Sequence, residues 1–489
     1  MTTAYRLSAT LFIFLLISLR LLVSEDLAIN WDAPILIDGS YRVFSGQIPH
    51  IDFSTPIGPV IFMIGALGMQ LGSPSLLGLN LGLILFSSGI LIITLIWMRG
   101  CLSKNLLFFL AMYMAAFLYS PRMLSAKTLD YGYTGIYNLY GYAIFFLGAL
   151  ITFGDITSAA QKPKEIFWQG VFIGSLVVAL LFLKNSFGFG LICLALVFLG
   201  LTKERSLFAA GMFGGVVAIG LLFAIYFDGN YIPIIRDQYF VVQARLEEHP
   251  FSRPDFFETF LKKTYIDNLY VIFAAIAGSA VMPRLRKRLI SLGLSFLCLG
   301  YVFCAAIMQW PEHVLSSLMA FIVLCYLFQY QQIYDHHWKI RHSKLAMGLA
   351  AISMIFAIRL MVINVIGLIS DAPRLIAKPM PTFNRETSRE ITVRSISPIV
   401  LRNYHPSERV IFVGENNLLS YQFQTAPWRN DLLFWQNQVT FTPNMALSNQ
   451  YFDPEHIFQN VSMVVFSTKT HKDSVEAFQA IYGLYSRSL

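Results

Sequence analysis

The chain is 489 residues long, 56% apolar and only 13% charged, with a mean hydropathy of +0.59. A soluble domain carries about 25% charged residues, so this composition excludes an ordinary soluble enzyme and points to a polytopic helical membrane protein. The formal net charge of +8 does not signal nucleic-acid binding, because Lys and Arg sit mostly in short stretches between apolar runs, where they set topology.

Apolar runs long enough to cross a bilayer predict spans over roughly 7–26, 76–98, 105–120, 138–153, 167–184, 187–201, 206–227, 267–283, 289–308, 313–330 and 345–368. No small-residue cleavage site follows the first run, so it is expected to be retained as a helix and not removed as a signal peptide. The five cysteines (Cys101, Cys193, Cys298, Cys304 and Cys325) lie in apolar helices or one short loop, with no zinc spacing and no disulfide framework. Segment 57–72 is ambiguous, since it is short and contains three glycines. If it does not span, Arg6 and the stretches RGCLSKN, QKPK, TKER, PRLRKR and HHWKIRHSK share one side with 14 Lys and Arg, against Arg42, Arg122, Lys127 and Lys184 in the short loops opposite. The positive-inside rule therefore predicts eleven spans, an inner N-terminus, an outer C-terminus and a 57–72 helix lying on or dipping into the outer surface.

The fold class expected is mainly α: a transmembrane bundle over 1–369 with outer loops 27–75 and 228–266, followed by a small outer α/β domain over 370–489. In that tail VIFV (410–413) and VSMVVFS (461–467) look like strands between turn residues. Polar groups crowd the stretch NWDAPILIDGSYRVFSGQIPHIDFSTPIGP between the first run and segment 57–72. Pro34 suits the first position of a helix with Asp32 just before it, predicting a helix from Pro34 to Ser45 that Gly46 ends. Pro49, Pro56 and Pro59 stiffen the chain beyond Gly46. Asp38, inside the helix, is expected on a solvated face.

An acidic residue after the first span, a short helix, then Gly46, Pro49, His50, Asp52 and Phe53, and a turn with Pro56, Gly58 and Pro59, together resemble the first outer loop of the GT-C superfamily of membrane glycosyltransferases. Protein O-mannosyltransferases and lipid A aminoarabinose transferases belong to it. The matching motif covers about 30 residues, and the overall plan of helices with an outer tail is similar. The resemblance implies an inverting transfer of a sugar from a polyprenyl-phosphate donor to a lipid, polysaccharide or protein acceptor at the outer face. It also implies an integral location, expected in a bacterial inner membrane, with no nucleic-acid partner.

On this resemblance Asp32 is the candidate general base, and a helix N-cap is the plain alternative. Asp52 and His50 fall in the second part of the motif, where Asp52 binds substrate or forms a turn. In loop 121–137 Asp130 is the available acid, with Tyr131 and Tyr133 suited to stacking on a sugar or to an interfacial aromatic belt. Lys184 in LKNSFG resembles the family's lysine turn and would hold the lipid phosphate, or else snorkel. Arg20 and Arg359 lie in the outer halves of their helices, and Glu312 with His313 form an acid–imidazole pair at another outer turn. No HExxH, CxxC or DxD occurs, so no cofactor is implied, and a divalent metal stays open. The loop 228–266, helical around RDQYFVVQARLEE, is a lid or a plain connector. A transporter, flippase or polymerase of lipid-linked glycans is the competing expectation.

Overall fold

The computed structural model describes residues 3–22, 32–99, 104–119, 135–157, 163–201 and 204–248, and in the tail 405, 408–413, 418–429, 431–432, 458–466, 476 and 478–479. The four expected spans between 267 and 368, and most of the tail, lie outside the described residues. The first 248 positions give ten helices among the described residues: α1 (Thr3–Leu22), α2 (Asp32–Phe44), α3 (Pro59–Leu71), α4 (Leu76–Met98), α5 (Lys104–Tyr119), α6 (Ile136–Thr157), α7 (Pro163–Leu183), α8 (Asn185–Leu201), α9 (Arg205–Tyr226) and α10 (Ile232–Glu248). Of these, α4, α7 and α9 are each long and apolar enough to cross a membrane.

Local sequence sets the ends of these helices. The Ser75 hydroxyl accepts a hydrogen bond from the Gly78 amide and caps α4. Pro59 opens α3 at a position where no backbone donor is needed. Helix α2 ends in paired bonds, from the Gly46 amide to the Val43 carbonyl (3.0 Å) and from the Gln47 amide to the Arg42 carbonyl (2.9 Å). That closure requires a left-handed residue, and Gly46 supplies it at φ +88. The helix starts at Asp32, two residues before the expected first turn at Pro34.

The long helices alternate in direction. Arg20, near the end of α1, donates to the Asn80 side chain at the start of α4 (3.0 Å) and to the Leu118 carbonyl at the end of α5 (3.1 Å). The Gln169 amide near the start of α7 reaches the Ile151 carbonyl late in α6 (3.0 Å). Helices α7 and α9 run parallel in close contact. Gly170 and Gly174 face the backbone of Phe208, Met212 and Val216, while Gly211 and Gly215 face that of Phe167, Val171 and Ser175. Paired small-xxx-small motifs allow this approach, in which packing supplies the attraction that water cannot supply in lipid.

The Arg20–Asn80 bond places the end of α1 and the start of α4 at one end of the bundle, so α3 does not carry the chain across. Its 13 residues extend about 20 Å, well short of the roughly 30 Å of a bilayer core. Of the two placements expected for 57–72, on the surface or dipping into it, the packing against α4 fits the second. Helix α3 folds back against α4, with Gly68 meeting Gly78 and Gly82, and most of its side chains are buried. Arg20 does not reach out to the surface from the end of α1. It is buried and satisfied by an amide and a helix-terminal carbonyl, beside a string of hydroxyls that includes Ser87–Tyr140 (3.2 Å) and Ser88–Tyr119 (2.7 Å).

The two strand-like tail runs form β2 (Arg409–Val413) and β4 (Val461–Phe466), which pair in parallel with an irregularity after Arg409. A second parallel pair joins distant parts of the chain. Here β1 (Phe53–Ser54), in the opening loop, lies beside β3 (Asp431–Leu432). The short tail helix α11 (Leu419–Phe423) packs on α2 through an edge-to-face contact of Tyr421 with Tyr41. The tail segment 418–432 is thus part of the opening platform.

Candidate functional site

The platform is organised around a buried arginine. Arg42 pairs with Asp38 one turn back (2.9 Å), donates to the Trp428 carbonyl (2.7 Å) and lies over the Phe53 ring at 5.4 Å. Gln47 donates to the Pro427 carbonyl (2.6 Å). This corrects Asp38, which is buried and paired with Arg42 instead of lying on a solvated face. Removing one member of a buried ion pair costs about 3–5 kcal/mol, since the other charge stays desolvated. Arg42→Ala is therefore expected to release the 418–432 segment, detected as faster amide hydrogen exchange there and at β1. Unchanged protection of both strands would show that the pair does not hold the tail.

Asp52 is bound at both oxygens. Oδ2 accepts the Ile48 amide (2.8 Å) and closes the 48–52 turn, while Oδ1 meets the exposed Arg429 guanidinium at 3.1 Å. Of its two expected roles, the turn-forming one is the one these contacts display. His50 occupies a left-handed conformation (φ 67) that few non-glycine residues adopt. Its Nδ1 lies 2.9 Å from Oδ2 of Asp237 on α10, and both side chains are buried. The Thr55 amide donates to the same carboxylate oxygen (3.1 Å), and Arg236 flanks its other oxygen (3.4 Å). His50 therefore supports α10 through Nδ1, while its buried Nε2 has no hydrogen-bond partner among the described residues.

Gln238 continues the docking of α10. It donates to the Pro56 carbonyl (3.4 Å) and accepts from the Asn185 side chain (3.3 Å). Within the 228–266 stretch, expected as a lid or a plain connector, the sequence singled out neither Asp237 nor Gln238. A signal was present: apolar residues at 232, 235, 239 and 242 define one stripe, and Asp237 falls away from it.

Lys184 sits between α7 and α8. Its ammonium donates to the Asn138 side chain and lies 4.5 Å from the centre of the Tyr137 ring, a cation–π distance. The platform closes on the same point. Gly58 approaches α7 so tightly that a Cβ there would overlap the Phe182 carbonyl oxygen and crowd that of Leu183. The N-termini of α3 at Pro59, α6 at Ile136 and α8 at Asn185 thereby converge around Lys184. Each helix start carries a partial positive charge and unpaired amides, so together with the ammonium they favour an anion. In the first turn of α8 the Ser186 hydroxyl is buried and has no hydrogen-bond partner among the described residues. Asn138 was not foreseen, although a lone amide opening an apolar run is a visible signal.

Helix α2 begins at Asp32, whose side chain lies outside the described residues. Asp130, Tyr131, Tyr133, Glu312, His313 and Arg359 also lie outside them. Among the described residues no three His, Cys, Asp or Glu side chains stand close enough to hold a metal ion. No family model matches the chain, and no curated protein and no solved structure matches it.

Proposed function

We propose that the protein is an integral-membrane inverting glycosyltransferase that moves a sugar from a polyprenyl-phosphate donor to a lipid, glycan or protein acceptor on the outer face of the membrane. One observation carries the proposal: a lysine and three helix N-termini converge beside the loop whose residues resemble the GT-C motif. The chemistry needs few groups. A carboxylate, assigned to Asp32, takes the proton of the acceptor as it attacks the anomeric carbon. The bond from that carbon to the phosphate oxygen breaks on the opposite side, so the anomeric configuration inverts. Charge then grows on the departing lipid phosphate, where Lys184 and the fixed amide dipoles stabilise it without reorganising.

The buried Arg20 supports a second reading, because an ionisable group inside a bundle marks transport pathways as well as structure. It would make the protein a flippase for lipid-linked glycans. Incubating the full-length protein in proteoliposomes with radiolabelled polyprenyl-monophosphate sugars and host membrane extract separates the two. The expected result is label moving from donor to acceptor. Lys184→Ala is expected to weaken donor binding about tenfold, the loss of one charge-assisted hydrogen bond. Donor crossing the bilayer with no transfer from any sugar would reject the glycosyltransferase in favour of the flippase.

A further inference from the structure

Helix α10 is docked through Asp237 and Gln238. Asp237 is buried against His50 and the Thr55 amide, and Gln238 bonds to Pro56 and Asn185. The stripe Ile232, Ile235, Tyr239 and Val242 faces away and is 75%, 67%, 51% and 46% exposed. The side that carries Asp237 also carries the half-buried Ile234, Phe240 and Val241, so the docked side has its own apolar residues and the exposed stripe is a second apolar face. The exposed surface is also continuous with that of α9, which buries only Phe208, Gly211 and Gly215 along its length. On α9 Leu221, Leu222 and Ile225 are exposed, Ile225 to 78%, and Ile232 comes next across the Asp228–Asn230 turn. At 22 residues α9 extends about 33 Å, so the turn after it comes at the level where a bilayer core of roughly 30 Å ends.

We infer that α10 is an interfacial helix: its Ile232–Ile235–Tyr239–Val242 stripe lies in the acyl-chain boundary of the outer leaflet, while Asp237 and Gln238 fasten it to the platform. Arg236 borders the stripe and is half exposed, placed for a phospholipid phosphate. Apolar burial of this stripe drives the contact, and the anchored opposite side sets its orientation. The inference rests on the chain spanning a membrane and holds for either transfer or flipping, so its failure leaves the proposed chemistry standing.

The test is spin-label accessibility in full-length protein reconstituted into lipid nanodiscs. The five native cysteines are replaced, and Ile235→Cys, Tyr239→Cys, Val242→Cys and, for contrast, Arg236→Cys are labelled one at a time. Collision with oxygen, which concentrates in hydrocarbon, is compared with collision with a water-soluble nickel chelate. Labels at 235, 239 and 242 are expected to meet oxygen several-fold more readily than nickel, and the label at 236 to meet nickel more. Equal nickel access at the stripe, showing water, overturns the inference, and so does low access to both reagents, showing protein cover. Size-exclusion profiles matching the parent protein select variants that are folded. Quenching of Tyr239→Trp by brominated acyl chains gives an independent readout, and its absence also counts against the inference.

Discussion

Asp32→Asn is expected to cut sugar transfer by about a hundredfold or more, the range over which a positioned proton acceptor contributes, while leaving the thermal unfolding midpoint unchanged. The substitution separates the two roles that the position offers. Asn caps a helix as well as Asp does, so the start of α2 at Asp32 is preserved. What Asn lacks is a carboxylate that can take the proton of an attacking hydroxyl. Transfer of label from polyprenyl-phosphate sugar, measured beside a melting curve, reads both properties in one preparation. A variant that transfers at the wild-type rate would falsify the base assignment and leave Asp32 with the helix-start role, which Asn fills equally well.

Gly58→Ala is expected to destabilise the protein by about 1–3 kcal/mol, the usual cost of forcing a methyl group into a packed contact, and to weaken donor binding as well. The backbone at Gly58 (φ −62, ψ 152) is one that alanine adopts freely, so the effect is steric alone. The methyl group meets the carbonyl oxygens of Phe182 and Leu183, which are backbone atoms and cannot rotate away. Relief requires the start of α3 to move off the end of α7. That movement would carry one of the three helix N-termini away from Lys184. Gly46→Ala is the informative control, because Gly46 has open space around it and needs only its left-handed conformation. It is expected to lower stability without changing donor affinity. Equal donor binding by Gly58→Ala and wild type would separate the close approach from anion recognition.

The first seven apolar runs were legible as helices, because an apolar run satisfies its backbone internally as a helix, whatever surrounds it. Three of them, α4, α7 and α9, are long and apolar enough to cross a membrane. The run expected over 76–98 is α4 from Leu76 to Met98, and those over 187–201 and 206–227 differ from α8 and α9 by at most two residues at either end. Gly46 as the stop of α2, and the strands at 409–413 and 461–466, were equally local matters of φ and of β-branched content. The polar platform was visible too, as the densest early group of charged and proline residues.

The surroundings of those groups were not visible, because long-range partners carry no mark in the local sequence. Asp38 looks solvated from its neighbours alone, yet it is buried, in a platform where Pro427 and Trp428 return nearly four hundred positions later to meet Gln47 and Arg42. Gly58 reads as a turn glycine until the carbonyls of Phe182 and Leu183 are found against it. The stripe on α10 can be drawn from the sequence, but whether it faces inward or outward depends on Asp237 meeting His50 and Thr55. The sequence by itself determined the membrane class, the helices and the residue types available for chemistry. Only the tertiary structure decided which of those residues are spent on holding the platform, and which helix ends gather at Lys184, since both arise from contacts between segments far apart in the chain.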